Sequence, residues 1–154
     1  MQLSARIQAT IEMLDIFFSL KLPLDIIMAK FFKHNKWIGV SDRRAIAEFS
    51  FSIFRNFEKM KLLTANITTN FGRFYVLTFL KVEEKWSTDK IAEAFCGRRY
   101  APSQLTMFER QFINSIDNRY KEFPSHVKYN YSEWLQPYLQ KSFSESELAN
   151  EMLA

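Results

Sequence analysis

Residues 41–60 read SDRRAIAEFSFSIFRNFEKM, in which Ile46, Phe49, Ile53, Phe57 and Met60 recur at steps of three and four. That spacing lines one face of an α-helix and predicts a long helix opening at Ser41, with Ser41 as N-cap and Asp42 in the first turn. The same period continues on both sides. Upstream, Ile7, Ile11, Leu14 and Phe18 mark a helix from Ser4 to Leu20, and Ile27 and Phe31 mark a second one that Pro23 opens. Downstream, Asn66 to Gly72 reads as a break, after which Phe74, Leu77 and Leu80 give a helix to Lys85. Ser87 caps a short helix carrying Ile91, Ala94 and Phe95, which Gly97 ends. Ser103 is the expected start of another, with Leu105, Phe108, Phe112 and Ile116. Residues 117–130 read as a loop.

These patterns predict an all-α fold, a compact bundle of about six to eight helices around one phenylalanine-rich core. Three glycines and four prolines in 154 residues leave few turns for a many-stranded fold. The 16 phenylalanines supply ample core, and a chain this long can bury about two-thirds of its unfolded surface. The expected core includes Ile7, Ile11, Leu14, Ile46, Phe49, Ile53, Leu77, Phe108 and Phe112. Trp37 and Ile38 are expected to tuck against it. In the tail, Trp134, Leu135, Tyr138 and Leu139 have helical spacing, and Ser144 with Glu147 fits a capping box. The expected organisation is one domain over residues 1–130 and a linker over 131–154, leading towards a second domain.

Charge is uneven along the chain. Residues 1–80 carry 11 Lys and Arg against 6 Asp and Glu, whereas residues 81–154 carry 10 against 11. The excess is densest where Lys30, Lys33, Lys36, Arg43 and Arg44 face Asp42 alone, which suits an anionic partner. Arginines in the first turn of a helix sit at the unfavourable end of its dipole. Arg43 and Arg44 therefore either meet an internal partner such as Asp42 or Glu48, or bind a phosphate or a partner domain. Arg98 and Arg99 beside Tyr100 form a second basic segment. Tyr100 is either a base-stacking residue or a packed tyrosine with its hydroxyl tied to the backbone.

Three segments carry a resemblance. Ile38 to Glu48 followed by Arg55, Gly97-Arg98-Arg99-Tyr100-Ala101-Pro102-Ser103-Gln104-Leu105, and Tyr131-Ser132-Glu133-Trp134-Leu135 stand in this order. Together with Ser4–Ala9 they resemble the N-terminal helical domain of the bacterial RsmB/Nol1/Nop2/Sun family of RNA cytosine-5 methyltransferases. Tyr131 and Ser132 depart from that pattern, which has Pro in the segment. The resemblance implies a NusB-like, non-catalytic RNA-binding domain, with rRNA as partner and a methyltransferase catalytic domain in cis or in trans. On that reading Lys30, Lys33, Lys36, Arg43, Arg44, Arg55, Arg98, Arg99 and Tyr100 are the candidate RNA-binding residues. A stand-alone NusB-like factor bridging RNA and protein, or a purely structural module, are the alternatives.

The family's enzymes use S-adenosylmethionine and a cysteine nucleophile. The scattered Gly39, Gly72 and Gly97 form no Gly-rich nucleotide loop. Cys96 is the one cysteine and is expected to be a small buried residue. No catalytic residue is therefore expected here, and S-adenosylmethionine is expected only with a missing catalytic domain. His34 and His126 with one cysteine make no usual zinc set, so no metal is expected. The apolar runs are too short to predict a membrane span, and the lone cysteine fits a reducing, cytoplasmic setting.

Overall fold

The computed structural model describes residues 1–121, 123–124, 137–138 and 147. The tail readings at Tyr131–Leu135 and Ser144–Glu147, and the linker over 131–154, lie outside the described residues. Seven helices are described: α1 Leu3–Leu20, α2 Leu24–His34, α3 Val40–Arg55, α4 Phe57–Leu63, α5 Phe71–Val82, α6 Thr88–Ala94 and α7 Met107–Lys121. No strand occurs among the described residues, and the fold is an all-α bundle.

Helix α5 is its centre. Phe74 through Leu80 are all buried, so this helix has no solvent face over two turns, and α1, α3, α4, α6 and α7 all pack on it. One face of α1 turns Ile7, Ile11 and Leu14 to α5, with Ile53, Leu77, Phe112 and Ile116 in the same buried cluster. The adjoining face turns Ala9 and Met13 to Ile27, Phe31, Ile38 and Ile46, and Phe54 packs against both clusters.

Gly72 fixes how closely α1 and α5 meet. Sequence spacing placed it in a break, but it occupies the second position of α5. A Cβ there would lie 2.5 Å from Asp15 Oδ1 and 2.6 Å from the Ile11 carbonyl oxygen. Only hydrogen fits. Asn70 provides no side-chain cap for α5. The carboxylate of Asp15, on α1, takes that role by accepting from the Gly72 N–H at 3.0 Å. Burial pushes the Asp15 carboxyl above its ordinary value, with the Glu12 charge acting the same way and the Gly72 N–H opposing them.

Several expectations are corrected. The residue capping α3 is Gly39, not Ser41, and Arg43 N donates to the Gly39 carbonyl. The long helix is two, because the Asn56 side chain turns back to the Ser52 carbonyl and the backbone leaves helical geometry there. One non-helical residue preserves the stripe, so Ile53 and Met60 stay buried in one cluster. The last described helix starts at Met107, not Ser103. Thr106 and Glu109 cap it reciprocally, Thr106 N donating to Glu109 Oε1 and Glu109 N to Thr106 Oγ1. It runs on to Lys121 through residues expected to be loop. With that register Phe112, Ile113 and Ile116 face inward and Phe108 is 54% exposed. Phe49 is only partly buried. Trp37 is 66% exposed, because its neighbour Ile38 takes the buried position in the turn.

Replacing Gly72 by Ala should cost about 1–3 kcal/mol, as forced overpacking does. Adding Asp15→Ala should not rescue it, since the Ile11 carbonyl still collides. Denaturant midpoints measure both, and a loss within roughly 0.5 kcal/mol would show that the helices are not in contact there.

Candidate nucleic-acid interface

Two separate segments build the site. The first is the corner between α2 and α3. The Asn35 N–H and Nδ2 both donate to Phe31 O, and His34 Nδ1 donates to Lys30 O, which together satisfy carbonyls at the end of α2. The chain then turns through Lys36 and Trp37 into α3.

The two adjacent arginines divide. Arg43 turns inward: its Nε donates to Ile38 O at 2.8 Å and its Nη2 to Lys36 O at 3.4 Å. Its guanidinium carbon also lies 5.5 Å from the Phe32 ring centroid. Its internal partners are thus carbonyls and a ring, not Asp42 or Glu48, and Arg43 ties the turn together. Arg44 is exposed and makes no ion pair among the described residues; Lys30, Lys33 and Lys36 share that state. Asp42 is held by Arg6, whose Nε and Nη2 both reach Oδ1 at 2.8 Å, and by the Met1 amine at 3.7 Å.

The second segment is the loop from Phe95 to Thr106. Gly97 has φ +71, and its N–H donates across the loop to Pro102 O at 2.9 Å. Ala101 N donates to Arg98 O. Tyr100 also has a positive φ, 66°, which is uncommon for a residue with a bulky Cβ substituent. Its ring is 61% exposed, and its hydroxyl has no hydrogen-bond partner among the described residues, so it is not the packed, tethered tyrosine. The Arg99 guanidinium lies 4.9 Å from its centroid.

Arg73 of α5 anchors this loop. Its Nη2 donates to Ser103 O at 2.8 Å and Gln104 O at 3.3 Å, and its Nε and Nη2 grip the buried Glu109 carboxylate at 2.6 and 3.0 Å. Burial alone would raise the Glu109 carboxyl. The Arg73 and Thr106 hydrogen bonds outweigh it and hold the group below its ordinary value.

The fold brings the two segments together. Trp37 and Tyr100 have ring centroids 6.2 Å apart at 36°. They flank an open groove of about 390 Å³ that Gln2, Asp42 and Arg99 complete. A second groove of about 460 Å³ shares Gln2, Ala5 and Arg99 and adds Arg98, with a half-buried Cys96 at its edge. Arg55 stands apart: it lies at the C-terminal end of α3, roughly 16 Å along the helix from Arg44, and donates to Ser52 Oγ. Sequence reasoning missed Trp37, which was assigned to the core, and the anchors Arg6 and Arg73. Of the features that position the loop, Gly97 is legible as a helix end and Thr106-x-x-Glu109 as a capping pattern, whereas the Arg73 anchor is not.

Among the described residues no cluster of three His, Cys, Asp or Glu is placed to hold a metal, and no helix is long and apolar enough to cross a membrane. No protein-family model, no curated protein and no solved structure matches the chain.

Because the folded Glu109 value is depressed, its contribution to stability is complete above the ordinary carboxylate value of 4.5 and is lost as pH falls below it. Glu109→Gln should therefore flatten the decline in stability between about pH 5 and pH 3, measured as urea midpoints against pH. An unchanged pH profile would show that the Arg73–Glu109 pair does not hold the loop.

Proposed function

We propose that this chain is a non-catalytic RNA-binding domain. Its interface is the surface shared by the α2–α3 corner and the Gly97–Pro102 loop. The observation that carries the reading is the approach of Trp37 to Tyr100 at 6.2 Å, which joins two basic segments far apart in sequence into one surface. The corner carries exposed Lys33, Lys36 and Arg44, the loop carries exposed Arg98 and Arg99, and Arg99 lines the groove between the two exposed rings. Cations that track a phosphate backbone beside aromatic faces are the usual means of holding single-stranded nucleic acid.

The resemblance to the N-terminal NusB-like domain of RNA cytosine-5 methyltransferases agrees with this use. Two of its segments, Ile38–Glu48 and Gly97–Leu105, are the two halves of the proposed surface. On this reading the domain holds rRNA in the cytoplasm for a catalytic domain in cis or in trans, and that domain supplies the S-adenosylmethionine chemistry.

Phosphate contacts release counterions, so affinity should fall steeply with salt. With three to five contacts on a single strand, log affinity against log salt should have a slope on the order of −2 to −3.5. Arg44→Ala and Arg98→Ala together should flatten the slope by about 1.4 and leave the melting temperature unchanged. Arg43→Ala should do the reverse, lowering the melting temperature while largely keeping the slope. Fluorescence anisotropy with labelled RNA reads the first quantity and circular dichroism the second. Binding absent at low salt, or independent of salt, would refute the proposal.

A further inference from the structure

Trp37 and Tyr100 stand in a state that packing does not explain. Both rings are mostly exposed, at 66% and 61%, and neither has a hydrogen-bond partner among the described residues. Tyr100 is also held at φ 66°, a conformation that steric contact with Cβ disfavours. Such backbone strain persists only where surrounding structure imposes it, and it concentrates at binding sites. Here the imposing structure is visible in the Gly97–Pro102 and Ala101–Arg98 backbone hydrogen bonds and in the Arg73 grip on Ser103 and Gln104.

The geometry points to a clamp for one unpaired nucleobase, inserted between the Trp37 and Tyr100 rings with its phosphate on Arg99 and Arg98. This rests on the RNA-binding reading above and adds what the groove selects. Stacked bases lie about 3.4 Å apart, so a base between two rings needs about 6.8 Å. The ring centroids are 6.2 Å apart with planes inclined at 36°, so the two exposed side chains rotate to make a parallel slot for the base. Arg99, 4.9 Å from the Tyr100 centroid and lining the same groove, supplies the cation for the phosphate of that base. The acid in the groove, Asp42, is engaged by Arg6, which reduces its repulsion of the phosphate. A base inside a duplex is already stacked on its neighbours and must be extruded to enter, so the clamp favours single-stranded loops over helices.

The test uses the full chain with three RNAs of equal length: a single strand, the same strand with every base removed, and a perfect duplex. The single strand should bind tightest. Stacking energies of about 1–3 kcal/mol per base correspond to a roughly 5- to 150-fold loss when Trp37 is replaced by Ala. That loss should appear for the single strand and vanish for the baseless strand. Tyr100→Phe should bind as the parent does. Tyr100→Gly should lose affinity similarly while keeping or raising the melting temperature, because glycine relieves the positive φ; a purely structural tyrosine would not separate the two. Equal, salt-dependent binding of the base-bearing and baseless strands would overturn the clamp and leave the RNA-binding reading standing. Failure of all three RNAs to bind would overturn both. Saturable quenching of Trp37 fluorescence by an aromatic peptide but not by RNA would overturn the clamp in favour of a protein ligand.

Discussion

The fold depends on one contact in which α5 approaches α1 so closely at Gly72 that its backbone touches the Ile11 carbonyl and the Asp15 carboxylate. Helices separated by large side chains can slide; helices that meet at a glycine and are joined by a carboxylate–amide hydrogen bond have a fixed register. Burial of Phe74 through Leu80 on every side then follows, because α5 becomes the post around which the other helices pack. Partial desolvation of the Asp15 carboxyl where α1 meets α5 raises it above its ordinary value, while the residue keeps an exposed edge.

The same two helices hold both halves of the groove. Arg73 follows Gly72 directly and fastens the Tyr100 loop through Ser103, Gln104 and Glu109. Arg6 of α1 fastens the start of α3 through Asp42, beside Trp37. The separation of Trp37 and Tyr100 is therefore inherited from the α1–α5 register, transmitted through two arginines. Two charged contacts, each between residues 36 positions apart, place two distant basic segments on one surface.

Much of the helical content was legible, because helix stripes need only local spacing. Ile7, Ile11, Leu14, Ile46, Ile53, Leu77 and Phe112 are all buried. What escaped depends either on partners distant in sequence or on turn and cap geometry that side-chain spacing does not encode. Gly72 looked like a break because close helix approach leaves no local mark. Nothing in two adjacent arginines tells which one will find the Ile38 carbonyl. Trp37 and Ile38 are equally apolar, and only the turn geometry decides that Ile38 enters the core. Phe108 moved outward because a threonine three residues before Glu109 set the start of α7, where Ser103 had seemed the better cap. The basic residues of the site and Tyr100 could be named from the sequence, but Trp37 and its pairing with Tyr100 could not.

The most direct measurement is an amide and indole NMR titration of the full chain with a short single-stranded RNA. If the groove is the RNA site, the largest and saturable shifts fall on the Trp37 indole N–H, on residues 98–101 and on the 36–44 turn, while Arg55 and α4 stay still. Largest shifts at the Arg55 end of α3, or small shifts spread over the whole surface with none concentrated at Trp37, would contradict it.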